Sequence, residues 1–112
     1  MSTPDLCQPL VLEKPQLVED GAGGFTQGWL ALGTLWAQIT AGTGRETAAS
    51  ATPVSRVPYK IIVRGAPWGN PERPAPAQRF RDGSRVFNIT AVTEHDPQGR
   101  YLICFAQEEL VV

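Results

Sequence analysis

Clusters of glycine and proline divide this sequence into short apolar runs, and that spacing limits the fold more than any other feature. The chain holds 11 glycines and 10 prolines, and residues 65–77 alone contain four of the prolines. Proline lacks the backbone N–H that helices and sheet interiors need, and both residue types mark turns. Short strands joined by turns are therefore favoured over long helices. Because 112 residues make about one domain, we expect a single domain over residues 1–112.

The apolar runs show the alternation of half-buried strands. The pattern is clearest in residues 85–92, where Phe87, Ile89 and Ala91 would share one face. Asp82-Gly83, just before this run, is a hairpin signal, with a loop that could extend to Ser84. Strands are predicted over residues 10–12, 34–40, 59–64, 78–81, 85–92 and 101–106. This order predicts an all-β fold, either a small antiparallel barrel or a sandwich.

Two segments leave alternatives open. Residues 29–33 fit either a strand or one short helical turn, because their apolar side chains suit both periods. The last strand, residues 101–106, is apolar on both faces, so it is either central in the sheet or covered by a partner. Trp29 and Trp36 are predicted to lie in the core.

Two loops are long for a domain of this size. Residues 41–58 are mostly small or polar and can bury little surface, so they are predicted to form a long mobile loop. Residues 65–77 form the Pro-rich loop. Loops of this length in small domains are usually either functional or disordered, so both are candidates for functional surfaces.

Charge and cysteine content narrow the class of protein. The net charge of −1 argues against a protein whose main task is to grip nucleic-acid phosphates. The first residues have no basic region followed by a long apolar one, as a secretion signal would. No run approaches the roughly 20 apolar residues of a membrane span. We therefore expect a cytosolic chain with reduced Cys7 and Cys104 and no contact with a membrane.

The sequence contains no recognisable constellation for catalysis or metal binding. The single histidine, His95, lies between Glu94 and Asp96 in a predicted hairpin loop. A metal site needs three or four converging ligands, and two distant cysteines with one histidine do not supply that spacing. We predict no catalytic residue, no metal ligand and no cofactor, which leaves binding to other macromolecules as the favoured class of function.

Some residues outside the predicted core are candidates for an interface. Trp68 lies in the Pro-rich loop, where it either packs under that loop or anchors a partner, since aromatic residues are common interface anchors. Arg73, Arg79, Arg81 and Arg85 cluster around the Asp82-Gly83 hairpin. They form either a solvated face or a salt-bridged subunit interface, where arginine is enriched.

An ordered set of short motifs resembles one family across nearly the whole chain. The motifs are residues 10–13, 20–24, 35–37, 44–46, 59–64, 85–89 and 101–102, with Trp29, Arg79, Cys104, Glu108 and Glu109. In these segments the chain resembles the head–tail joining proteins of long-tailed bacteriophages, also called head-closure or stopper proteins, which also occur in gene transfer agents.

The resemblance implies a structural role in the neck of a particle that is assembled in the bacterial cytoplasm. Members of this family are small β-barrels that form rings, commonly hexameric, which close the DNA-filled head and join it to the tail. The implied partners are other copies of the chain, a portal-side adaptor protein and a tail-terminator or tail-tube-side protein. Double-stranded DNA would pass through the channel without sequence-specific contacts.

The same resemblance assigns expected roles to individual residues. By analogy, the loop of residues 41–58 would project towards the channel and carry Thr43, Arg45 and Glu46. From the chemistry of the residues themselves, and not from the resemblance, we expect Trp68, Arg73, Arg79, Tyr101, Ile103 and Phe105 to contact other subunits or partners.

The sequence is also compatible with two other functions. A tail-terminator or tail-completion protein would share a small β fold and ring symmetry. A small barrel that binds single-stranded nucleic acid would need aromatic side chains on an exposed basic sheet face, and only Lys60 and Arg64 suggest such a face.

Overall fold

The computed structural model describes residues 3–42 and 56–109, and these residues form an all-β structure. No helix within these two ranges is long and apolar enough to cross a membrane. The strands are β1 (Gln8–Glu19), β2 (Phe25–Ala41), β3 (Arg56–Arg64), β4 (Arg79–Asp82), β5 (Arg85–Glu94) and β6 (Tyr101–Glu109).

The strands pair antiparallel and close into a barrel. Their order around it is β1-β2-β3-β6-β5-β4, and β4 returns to pair with β1. The all-β class and the antiparallel barrel are thus confirmed. Strand β6 lies between β3 and β5. The last strand is therefore central in the sheet, which was one of the two alternatives that its apolar faces left open.

The core lies inside the barrel and draws on all six strands. Phe80 and Phe87 are the largest side chains that are fully buried there. Alternate residues of β6 point inward, because side chains on a strand alternate between its two faces. The apolar side chains of this core cluster are Leu10, Leu12, Ala37, Ile61, Val63, Phe80, Phe87, Ile89, Leu102, Cys104 and Ala106.

A β-bulge in β5 changes which of its side chains reach the core. The ladder between β5 and β6 pairs Ile89 with Ala106 and then Ala91 with Phe105, so Thr90 is the extra residue. An inserted residue reverses the alternation that follows it. Ala91 is therefore exposed, contrary to the sequence prediction, and Val92 packs against the core instead.

Strands β1 and β2 continue beyond the barrel as a two-stranded arm, residues 14–30. Their pairing runs without interruption from Lys14 opposite Leu30 to Glu19 opposite Phe25. The short helical turn considered for residues 29–33 was wrong, because these residues belong to β2. Backbone pairing with β1 stabilises these residues as a strand instead of a helical turn.

The tip of the arm is a turn, as its glycines predicted. One carboxylate oxygen of Asp20 accepts hydrogen bonds from the backbone N–H groups of Ala22 (2.8 Å) and Gly24 (3.0 Å). Gly21 and Gly23 have φ values of 81° and 86°, which only glycine adopts without strain. The arm therefore ends in a defined loop.

The connections within the barrel differ somewhat from their predicted limits. Gly83, with φ 60°, and Ser84 make the tight turn between the paired residues Asp82 and Arg85. The predicted loop of residues 41–58 overlaps β2 at Ala41 and β3 over residues 56–58. Residues 43–55 lie outside the described residues.

Two leucines provide a matched test of which surfaces hold the fold together. Leu102 is fully buried and Leu17 is 71% exposed. We expect Leu102→Ala to lower the free energy of unfolding by about 2–5 kcal/mol, through lost burial and a residual cavity. Leu17→Ala should change it by less than about 0.5 kcal/mol. Urea unfolding of both variants measures the difference, and equal losses would contradict this assignment of the core.

Candidate interaction surfaces

The Pro-rich loop presents Trp68 beside a groove. Trp68 is 86% exposed, so it does not pack under its own loop, which was the first of the two sequence alternatives. The groove beside it has a volume of about 580 Å³, and Pro74, Pro76 and Val92 contribute to its apolar lining. Glu94 also lines the groove.

Arg73 holds Trp68 in place from one side. Its guanidinium carbon lies 3.8 Å from the centroid of the Trp68 ring, within range of a cation–π interaction. Its Nη1 also donates a hydrogen bond to the carbonyl of Ala66 at 2.6 Å. The structure thus brings together Trp68 and Arg73, two residues that the sequence predicted as interface candidates.

Backbone hydrogen bonds fix the loop that carries this pair. The carboxamide oxygen of Asn70 accepts from the N–H of Glu72 at 2.8 Å, and the Asn70 carbonyl accepts from the N–H of Arg73 at 2.9 Å. At the end of the loop, the N–H of Ala77 donates to the carbonyl of Ile89 at 3.1 Å. The loop is therefore anchored to β5 despite its proline content.

A second surface is the outer face of β3 and β6. Tyr101, Ile103 and Phe105 alternate with the inward residues of β6, and Phe105 is 36% exposed. Lys60 pairs with Phe105 and Arg64 pairs with Tyr101 across the ladder. The three predicted β6 residues therefore share an apolar face with basic residues beside it.

The start of the described chain borders this outer face. The N–H of Asp5 donates to the carboxamide oxygen of Gln38 on β2 at 2.7 Å. Thr3 and Pro4 line a cavity of about 220 Å³ together with His95 and Tyr101. His95 is half-buried, with its ring edge-on to that of Tyr101 at 6.4 Å between centroids.

Arg79 serves the barrel itself, because it clamps a buried carboxylate. Glu13 on β1 is only 5% exposed, and it lies 2.7 Å from Nε of Arg79 and 3.0 Å from Nε of Arg81. The Arg79 guanidinium also stacks over Trp29, 4.0 Å from the ring centroid. Burial alone would raise the pKa of Glu13, but the hydrogen bonds from Arg79 and Arg81 outweigh it and lower that pKa.

A second buried carboxylate lies inside the barrel at the end where β6 finishes. Glu108 is 7% exposed and accepts two hydrogen bonds from Arg85, from Nε at 2.8 Å and from the terminal nitrogen at 3.2 Å. These bonds hold the pKa of the Glu108 carboxyl below its usual range, against the opposing effect of burial. Arg85 also lies over Phe87, which meets Tyr59 edge-on at 5.3 Å.

Sequence reasoning missed both clamps and the apolar surface of the arm. A glutamate at the end of the apolar run of residues 10–12, and alternate arginines in β4, were the available signals for Glu13. Trp36 was predicted to be buried but is 57% exposed, and Trp29 is half-buried under Arg79. On the arm, Leu17 and Phe25 are 71% and 62% exposed.

The predicted channel residues Thr43, Arg45 and Glu46 lie outside the described residues.

The two cysteines differ in exposure. Cys7 is exposed and Cys104 is buried, with both thiols free, and burial raises the pKa of Cys104 to about 12. Within residues 3–42 and 56–109, no three histidine, cysteine or acidic side chains converge as metal ligands would.

The whole chain is similar to known proteins. A family model described as "Phage head completion protein" matches residues 1–109. A chain in a structure described as "Virion of native gene transfer agent (GTA) particle" is 50% identical, and the match covers 98% of this chain and 100% of that chain with a TM-score of 0.81.

A more distant structure shares the fold. The solution structure of protein SF1141 from Shigella flexneri 2a is 20% identical, and the match covers 96% of each chain with a TM-score of 0.66. No curated protein matches this sequence.

The Glu13 clamp generates a stability prediction. Glu13→Gln leaves Arg79 and Arg81 without the carboxylate they bind, and charge-assisted hydrogen bonds contribute about 1.5–3 kcal/mol each. We expect the free energy of unfolding to fall by about 1–3 kcal/mol at neutral pH in urea denaturation. Glu19→Gln, at an exposed position of the same strand, is the matched control. An equal loss in both variants would refute the clamp.

Proposed function

The chain belongs to the phage head completion protein family, and we propose that it is a ring subunit that closes the DNA-filled head of a tailed particle and joins it to the tail. The match over residues 1–109 is the observation that carries this proposal. The 50% identity to a chain of a gene transfer agent virion supports a location in the particle.

The distribution of charge is compatible with a structural subunit of a channel through which DNA moves. Arg79 and Arg81 share the buried carboxylate of Glu13, and Arg85 is bonded to Glu108. Two carboxylates therefore offset two of these three positive charges within the chain. A surface that must let DNA move cannot bind many phosphates tightly, since each neutralised phosphate adds affinity. This supports a passive channel component over a barrel that binds single-stranded nucleic acid.

We assign the contacts with other subunits to the two surfaces described above. The groove beside Trp68 offers an exposed aromatic anchor with an apolar wall, the usual composition of an interface hot spot. The outer face with Tyr101, Ile103 and Phe105 offers a second apolar area. A subunit between a head and a tail needs contacts on more than one side, with copies of itself and with the proteins above and below it.

Removal of the gene tests the proposal as a whole. Without this protein we expect particles that either lose their DNA or lack tails, and we expect a plasmid copy of the gene to restore them. Electron microscopy and DNA content of purified particles give the two measurements. Wild-type particles should contain the protein by mass spectrometry. DNA-filled, tailed particles from the deletion strain would overturn the proposal.

A substitution at Trp68 tests the groove as a contact surface. Trp68→Ala removes an anchor that is 86% exposed together with its stacking on Arg73, so the free energy of unfolding should fall by no more than about 1 kcal/mol. The amount of protein per particle should fall by about tenfold or more, as expected for an interface anchor. Arg100→Ala, at another exposed residue, is the control. Wild-type amounts of the Trp68 variant in particles would remove the groove from the interface.

A further inference from the structure

The outer edge of β2 in the arm, residues 25–30, carries neither a charge nor a proline. A bulge at Leu32, where Leu12 pairs with Gly33 and Glu13 with Ala31, lies just beyond it. All 17 residues of β2 are uncharged, and none is proline. Strand β3 pairs with β2 only over residues 37–41, so in the described part of the chain no strand covers the β2 edge over residues 25–36. A long, uncharged and uncovered edge is a template for another strand.

The opposite edge of the arm is built differently. Along β1 it carries Lys14, Pro15 and Glu19, and within the described residues β4 covers this edge only over residues 11–13. Pro15 lies opposite Trp29 in the hairpin ladder, and a proline is tolerated in a paired strand where its nitrogen faces away from the partner. The missing N–H therefore belongs to the outer edge of β1. The arm has one open edge and one partly blocked edge.

We infer that the outer edge of β1 in one copy pairs with the outer edge of β2 in the next copy, so that the arms form a continuous sheet between subunits. This inference rests on the proposed ring. A ring requires a heterologous contact, in which each subunit uses two different surfaces. The two edges of the arm are two such surfaces on a single element.

The other two pairings of these edges fit a ring less well. A β1–β1 contact would bring two copies of Pro15 into one short ladder and remove a hydrogen bond for each. A β2–β2 contact uses the same surface on both copies, so it stops at two copies. In the β1–β2 contact, Lys14 and Glu19 meet an uncharged strand, and no like charges face each other.

The contact also accounts for the stability of the arm. A hairpin of two strands is marginal in water on its own, whereas three or more strands are stable. Lys14–Glu19 would add a contact of roughly 20 Å to β2, whose uncovered edge is longer. The exposed Leu17 and Phe25 would then belong to a wider sheet instead of an isolated ribbon.

Cross-linking between two different single-cysteine chains tests this pairing directly. Both chains carry Cys7→Ser, and the buried Cys104 is not accessible to the reagent. One chain also carries Leu17→Cys on β1, and the other carries Gln27→Cys on β2, both at exposed positions. Because each chain has one accessible thiol, a short bismaleimide can only join separate copies. The reaction is carried out on particles from cells that express both chains.

The expected product is a dimer that contains one chain of each type. Replacing Gln27→Cys by Thr40→Cys, an exposed position of β2 that β3 already flanks, should abolish it. If the only dimers contain two identical chains, or if no dimer forms, the inference is overturned. The proposed function would still stand, provided that the protein is present in the particles. Absence of the unmodified protein from wild-type particles would overturn the proposed function, and this inference with it.

Discussion

Strand β4 meets β1 through only three residue pairs, and this short ladder closes the barrel. Glu13 lies at the end of that ladder and bonds to Arg79 and Arg81 of β4. The buried carboxylate thus adds two charge-assisted bonds where the backbone contributes least. The arm leaves the barrel directly after Glu13, and the stacking of Arg79 over Trp29 ties the base of the arm to the same clamp. The position of the arm relative to the barrel therefore depends on this cluster.

The second clamp shows the same use of charge on the neighbouring strands β5 and β6. Glu108 and Arg85 bond inside the barrel beside Phe87 and Tyr59. Each carboxylate is nearly buried, while Arg81 and Arg85 remain about 40% exposed, at 41% and 42%, because a long arginine side chain can reach water past an apolar neighbour. The arginines of this hairpin therefore stabilise the barrel. A solvated face, one of the two alternatives that the sequence left open, describes only the exposed part of each side chain.

The sequence predicted the features that depend on local chemistry. Asp82-Gly83 located a hairpin, the glycines of residues 21–24 located the tip of the arm, and alternation placed Phe87 and Ile89 on one face of β5. It failed where the outcome depends on distant partners. Residues 25–33 became a strand because β1 lies beside them, Ala91 turned outward because Thr90 is a bulge, and Trp36 lies outside because its neighbours in β2 fill the interior. Glu13 could be connected to β4 only once the barrel was known to close there.

The stacking of Arg73 on Trp68 has a kinetic consequence. A partner that binds an unrestrained tryptophan must immobilise its side-chain torsions, and ordering a side chain at an interface costs about 0.5–1.5 kcal/mol. Here the guanidinium 3.8 Å from the ring centroid and its bond to the Ala66 carbonyl have already restricted that motion. A partner that meets this ring finds it pre-organised, and the saving in entropy appears mainly as a longer residence time of the complex.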